Sequence, residues 1–153
     1  MSPAVSRAEL ESLLQASFAR GALFPLTVTG WSMRPLLRHA RDVVLLEDPQ
    51  KRPPRRGDIV LFRRTTGEWV LHRVIGRTAA GSLIMNGDAQ TWTELISPEQ
   101  ARGVVSAVRR GARVLPCSGP LLRFYTWAWG GILRPLRGAI LAVPRAARRL
   151  FDR

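Results

Sequence analysis

The sequence predicts a mainly β protein: a compact β-barrel or set of curved sheets with a short N-terminal helix and a basic, amphipathic helical C-terminal segment. Three observations predict it. Short apolar runs recur between Phe24 and Arg109, separated by polar turns rich in glycine and proline. Ahead of them, apolar residues repeat at helical spacing only as far as Gly21. Behind them, after Pro116, helical spacing returns and arginines gather on one side of it. A chain of 153 residues then reads as one domain with extensions: a helix in 1–23, a β body in 24–116 and a basic segment in 117–153.

Ser6 is placed to cap the first helix, with Glu9 at the reciprocal capping-box position, and Leu10, Leu13, Leu14 and Phe18 form its apolar stripe. Gly21 is placed to end it, since glycine adopts the left-handed backbone that closes a helix. Next, Phe24, Leu26 and Val28 alternate with Pro25, Thr27 and Thr29, a strand that runs into a Gly-Trp-Ser-Met turn. Further strands are predicted at 42–47, 58–63, 68–76, 82–86 and 103–109, with breakers at 49–57, 65–67, 78–81 and 87–98. Lys51-Arg52-Pro53-Pro54-Arg55-Arg56 reads as a solvated loop. In the last segment Arg123, Arg134, Arg137, Arg145 and Arg148 share one side of a helical projection. Leu121, Tyr125, Trp129, Ile132, Leu136, Ala139, Ile140 and Val143 lie opposite, and Pro135 and Pro144 divide or kink the helix.

Composition narrows the function classes. An apolar fraction of 46% excludes global disorder. A formal charge of +13 points to an anionic partner: a lipid surface, nucleic acid or an acidic protein. Nearly all of the basic charge is arginine, and Lys51, the only lysine, sits in a proline-rich loop unsuited to a desolvated base. Cys117 is the only cysteine, which excludes an intrachain disulfide and a multi-cysteine zinc site. Glu9 and Glu11 interrupt any signal-peptide core, and Arg123, Arg134 and Arg137 interrupt the longest apolar run. The expected location is cytoplasmic or peripheral to a membrane. For the C-terminal segment the choice lies between the headgroup region and packing against the β body. The cluster of Tyr125, Trp127 and Trp129 among arginines favours the membrane.

The candidate chemistry lies in two fragments 40 positions apart, Ser32 at the proline-stiffened turn and His72 within Leu71-His72-Arg73-Val74. A serine hydroxyl barely ionises near neutral pH and needs an adjacent base to attack a carbonyl. Histidine, with an ordinary pKa of about 6.5, accepts and returns a proton near pH 7. A carboxylate on its other ring nitrogen would fix the tautomer and stabilise the imidazolium. Taken singly, Ser32 fits a turn, His72 fits a hydrogen-bonded core position, and Asp58 and Asp88 fit turns after glycine. His39, in the charged bend Arg38-His39-Ala40-Arg41, is expected to be exposed and not catalytic.

Gly30-Trp31-Ser32-Met33-Arg34-Pro35 resembles the G-x-S-M-x-P nucleophile motif of the signal peptidase I and phage-repressor-type autoprotease superfamily. Arg56-Gly57-Asp58-Ile59-Val60-Leu61-Phe62 resembles its G-D-I-V-x-F strand. Leu71-His72-Arg73-Val74-Ile75 is similar to the H-R-V segment of the endoplasmic-reticulum and archaeal type of signal peptidase, in which histidine replaces lysine. Asn86-Gly87-Asp88 resembles the downstream G-D motif of that type, and the resemblance runs in family order from Phe24 to Val108. It implies a mostly β serine endopeptidase that needs no metal or cofactor. Ser32 is then the nucleophile, His72 the base and Asp88 the residue orienting it, with Glu94 as a second acidic candidate. Gly30, Trp31 and Met33 would form the oxyanion and substrate groove, with the Ser32 N–H as a donor. The implied partner is an extended precursor or leader peptide with small side chains near the cut. Gly30 stands where many signal peptidases carry an oxyanion-binding serine, Trp31 is bulky for its place, and the family's N-terminal anchor is absent. Two rivals remain: a catalytically silent member docking on a membrane or partner through its last segment, and a DNA-binding autoprotease-type regulator. The second is weaker, since few residues precede Phe24 and that branch uses lysine.

Overall fold

The structure is a computed structural model describing residues 6–141. Helix α1 (Arg7–Ala19) opens with the predicted capping box: Glu9 N–H donates to Ser6 Oγ at 3.2 Å, and Ser6 N–H to the Glu9 carboxylate at 2.6 Å. It closes at Gly21, whose φ of 68° is left-handed. Leu14 and Phe18 are buried against the sheet, while Leu13 faces solvent.

The strands are β1 (Phe24–Thr27), β2 (Asp42–Glu47), β3 (Ile59–Arg63), β4 (Trp69–Arg77), β5 (Leu83–Asn86), β6 (Glu94–Ile96), β7 (Ala101–Arg110) and β8 (Arg113–Pro116). They form one antiparallel sheet in the order β1-β2-β7-β3-β4-β5-β6, with β8 paired to β7. The fold is mainly β, as predicted, but the sheet is curved and open rather than a closed barrel; β1 and β6 end the order. Two short strands escape the sequence pattern. β6 falls inside a predicted breaker, and β8 is an outer strand beyond the last predicted one.

The sheet carries a core on each of its two sides. Alternate residues of a strand face opposite sides, and both sides of β3 are buried. Ile59 and Leu61 join Leu14, Leu37, Val105 and Leu122, whereas Val60 and Phe62 join Val74, Leu83, Met85 and Val104. The uninterrupted apolar run of β3 is therefore a doubly covered strand.

After β8 the chain forms α2 (Pro120–Trp127), a π-helical turn (Ala128–Ile132), a 3-10 turn (Arg134–Leu136) and α3 (Arg137–Leu141). Pro135 falls in the 3-10 turn, where the predicted break occurs. The faces differ from the projection. Tyr125 and Trp129 turn inward, and Arg137 is 1% exposed, donating to Asn86 Oδ1 at 2.6 Å and to the Trp129 carbonyl at 2.6 and 3.1 Å. The breaks rotate successive turns out of a single helical phase, which a projection cannot represent. Val143, Pro144, Arg145 and Arg148 lie outside the described residues. Among the described residues, no helix is long and apolar enough to cross a membrane.

Candidate active site

Ser32 sits on a turn fixed from both sides. Gly30 takes a φ of 86°, a conformation that disfavours any side chain. Its N–H donates to His39 Nδ1 at 3.0 Å. Met33 is 3% exposed and belongs to the core, and its carbonyl accepts from Leu37 N–H at 2.9 Å. On the other side Ala89 N–H donates to the Ser32 carbonyl at 2.8 Å. The loop after β5 can come this close because residue 87 is glycine: a Cβ there would lie 2.8 Å from the Ser32 carbonyl oxygen. The loop after β5 thus braces the serine turn through the Ala89 N–H, with Gly87 permitting the close approach.

His72 lies on β4 opposite Val60, 2% exposed, with the rings of Phe62 and Trp92 edge-on at 6.0 Å each. Glu94 Oε1 is 3.1 Å from Nδ1, although the approach does not meet hydrogen-bond geometry and Nδ1 has no other partner. Arg64 fixes that carboxylate, with Nε and Nη2 each donating to a different Glu94 oxygen at 2.8 Å, while Nη1 reaches Glu68 at 3.2 Å. Burial pulls the His72 pKa below its ordinary value; Glu94 opposes this and Arg64 reinforces it. The imidazole is therefore neutral at pH 7, as a general base must be.

Asp88 does not take the position that the motif resemblance assigned it. Its carboxylate, fully buried, accepts from Arg73 Nε at 2.8 Å and Nη2 at 2.7 Å, and from the Tyr125 hydroxyl at 3.2 Å. Its carbonyl accepts from Trp129 Nε1 at 2.9 Å. Strand register explains the exchange. Arg73 pairs with Asn86, so Arg73, Asn86 and the Asp88 that follows in phase share the side covered by α2. His72 points the other way, toward the face that carries Val74, Met85 and, through the Met85–Glu94 pairing, Glu94. Burial works against the Arg73 cation, but Asp88 more than offsets it and the guanidinium is held above its ordinary range.

Ser32 and His72 line one cavity of about 280 Å3, together with Thr29, Gly30, Met33 and Gln90. No hydrogen bond joins the two side chains. Trp31, expected in the groove, is not among the lining residues; it is exposed, 5.1 Å from the His39 ring, with the Arg34 guanidinium 4.2 Å over it. His39 is exposed, as predicted, but braces the turn through Gly30. Two of the lining residues, Trp69 and Gln90, carry a buried donor (Nε1) and a buried acceptor (Oε1) without partners among the described residues. The sequence offered no sign of Arg64, Trp69 or Gln90, whose placement depends on strand register. Among the described residues no group of three or more His, Cys, Asp or Glu could hold a metal ion. No family model, curated protein or solved structure matches this chain.

Proposed function

We propose that this chain is a serine endopeptidase acting on an extended precursor or leader peptide, with Ser32 as nucleophile, His72 as general base and Glu94 as the carboxylate beside the base. The supporting observation is the single cavity onto which a braced Ser32 turn and a buried neutral His72, backed by Glu94, both open. Ser32 Oγ attacks the scissile carbonyl while His72 takes the hydroxyl proton. The imidazolium then returns that proton to the leaving amine, leaving an acyl-enzyme on Ser32. A water that gives its proton to His72 attacks the ester, and the imidazolium returns that proton to Ser32 Oγ as the carboxylic acid leaves. The Ser32 N–H is the candidate donor to the oxyanion. The substrate's course follows from the strands. Trp69, Val70 and Leu71 pair with β3 on one edge, and β5 joins the other edge only from Arg73. Those residues line the cavity with Val28, Thr29 and Gly30, so an extended peptide adds a strand there.

A peptidyl fluorophosphonate tests the reading. The parent should be labelled on Ser32 and should cut members of a peptide library, and Ser32→Ala should lose both properties. Cleavage by Ser32→Ala at the parental rate sinks the assignment. The lack of a direct Ser32–His72 hydrogen bond favours the rival, a catalytically silent docking module, and a parent that is neither labelled nor able to cleave the library would overturn the peptidase reading.

A further inference from the structure

The C-terminal helical segment turns two unlike faces to its surroundings. Leu122, Tyr125, Trp129 and Arg137 fasten it to the sheet and to Asp88. On the same segment Leu121, Phe124, Trp127, Ile132, Leu136 and Ile140 are each between 39% and 64% exposed, with the Phe124 and Trp127 rings 5.9 Å apart. A run of exposed large apolar side chains on one segment marks an interaction surface.

We propose that this face is a docking surface for an anionic lipid bilayer. The proposal stands independently of the peptidase reading. Charge selects the occupant. Residues 117–141 contain no Asp or Glu, and Arg123 and Arg134 are exposed among the apolar residues. The sequence beyond adds Arg145, Arg148, Arg149 and Arg153 against Asp152 alone. A second copy of the face would bring arginines against arginines with no acid to pair them. Nucleic acid would satisfy the arginines and leave Leu121, Ile132, Leu136 and Ile140 in water. A headgroup layer over acyl chains takes both sets, with aromatic rings at the boundary. Because the inner face is already packed, the surface is presented without a folding step, and its short helices lie along the bilayer.

The test uses the full chain and sedimentation with vesicles of phosphatidylcholine, plain or with about 30% phosphatidylglycerol, the anionic case. The parent should pellet with the anionic vesicles and release as salt screens the arginines. The double variant Phe124→Ser/Trp127→Ser should partition at least about tenfold less, and Arg123→Gln/Arg134→Gln should bind more weakly with a shallower salt dependence. Circular dichroism and melting verify folding, with Leu121→Ser/Ile132→Ser as a second apolar pair. Three results overturn the proposal: a parent that stays in the supernatant, apolar variants that bind as well as the parent, or a solution dimer that those variants dissociate.

Discussion

Replacing Asp88 with asparagine separates the two carboxylates. The Asp88 carboxylate is fully buried against an Arg73 side chain that is 3% exposed, and it accepts from Arg73 twice and from Tyr125 once. Asparagine keeps the shape and one acceptor oxygen but removes the countercharge, leaving a buried guanidinium with that oxygen and, on Nη1, the Gly57 carbonyl and Thr126 hydroxyl. Stranding one member of a buried pair costs about 3–5 kcal/mol. For a chain of 153 residues that lowers the melting temperature by about 6–20 °C. Urea titration followed by tryptophan fluorescence reads the loss, and peptide cleavage is measured per folded molecule. Asp88→Asn should keep its rate within about tenfold, whereas Glu94→Gln should lose about 100-fold or more, because it stops stabilising the imidazolium. Glu94→Gln should melt close to the parent, since Arg64 keeps Glu68. Arg73→Met/Asp88→Leu should recover much of the lost stability, as apolar replacement removes both charges together. Parental melting of Asp88→Asn would refute the structural role. A large rate loss there, with parental activity in Glu94→Gln, would return the orienting role to Asp88.

Activity should persist below the ordinary histidine pKa of about 6.5 and fall as pH drops through the depressed value of His72. Measuring the profile in a His39→Asn background removes the other imidazole. Stability follows the same sign: below about pH 6.5 the unfolded chain binds a proton at this position more readily than the folded one, so this contribution falls with pH until both states are protonated. Gly87→Ala should cost about 1–3 kcal/mol and lower kcat more than it raises KM, because the new Cβ pushes the loop off the Ser32 carbonyl; an unchanged kcat would show that the brace is dispensable. Arg64→Gln should move the acid limb of the pH–rate profile upward, since the cation that opposes imidazolium is gone; a downward shift would contradict the electrostatic argument.

The helix cap, the strands' existence and the change of character after Pro116 were legible because each rests on local periodicity or on one glycine or proline. Pairing was not. β6 and β8 are three and four residues long, too short to carry a period, yet β6 supplies Glu94. Ser32 and His72 were legible as chemistry-bearing types in suitable strands and turns, and they do share a cavity. Asp88 pairs with Arg73 instead of His72 because proximity in the motif says nothing about the side of the sheet, and Arg73 and Asn86 share the side opposite His72. Arg137 departs for a similar reason: it fits a solvent-facing helical stripe, but the π and 3-10 turns before it carry the guanidinium inward to Asn86, whereas Arg123 and Arg134 stay exposed.

The two acid–arginine pairs divide the labour by exposure. Arg73 and Asp88 are sealed from water, so their geometry is rigid and locks α2 to the loop whose Ala89 N–H holds the Ser32 carbonyl. Arg64 and Glu94 remain 29% and 18% exposed and can follow a charge that changes during reaction. In the mechanism we propose, the neutral buried imidazole would gain a proton when serine attacks, and the Glu94 oxygen 3.1 Å away would compensate that charge. Arg64 keeps that oxygen in place and weakens the base in the same act. A base held deprotonated at pH 7, beside an anion that favours its charged form, suits the proton transfer proposed for it.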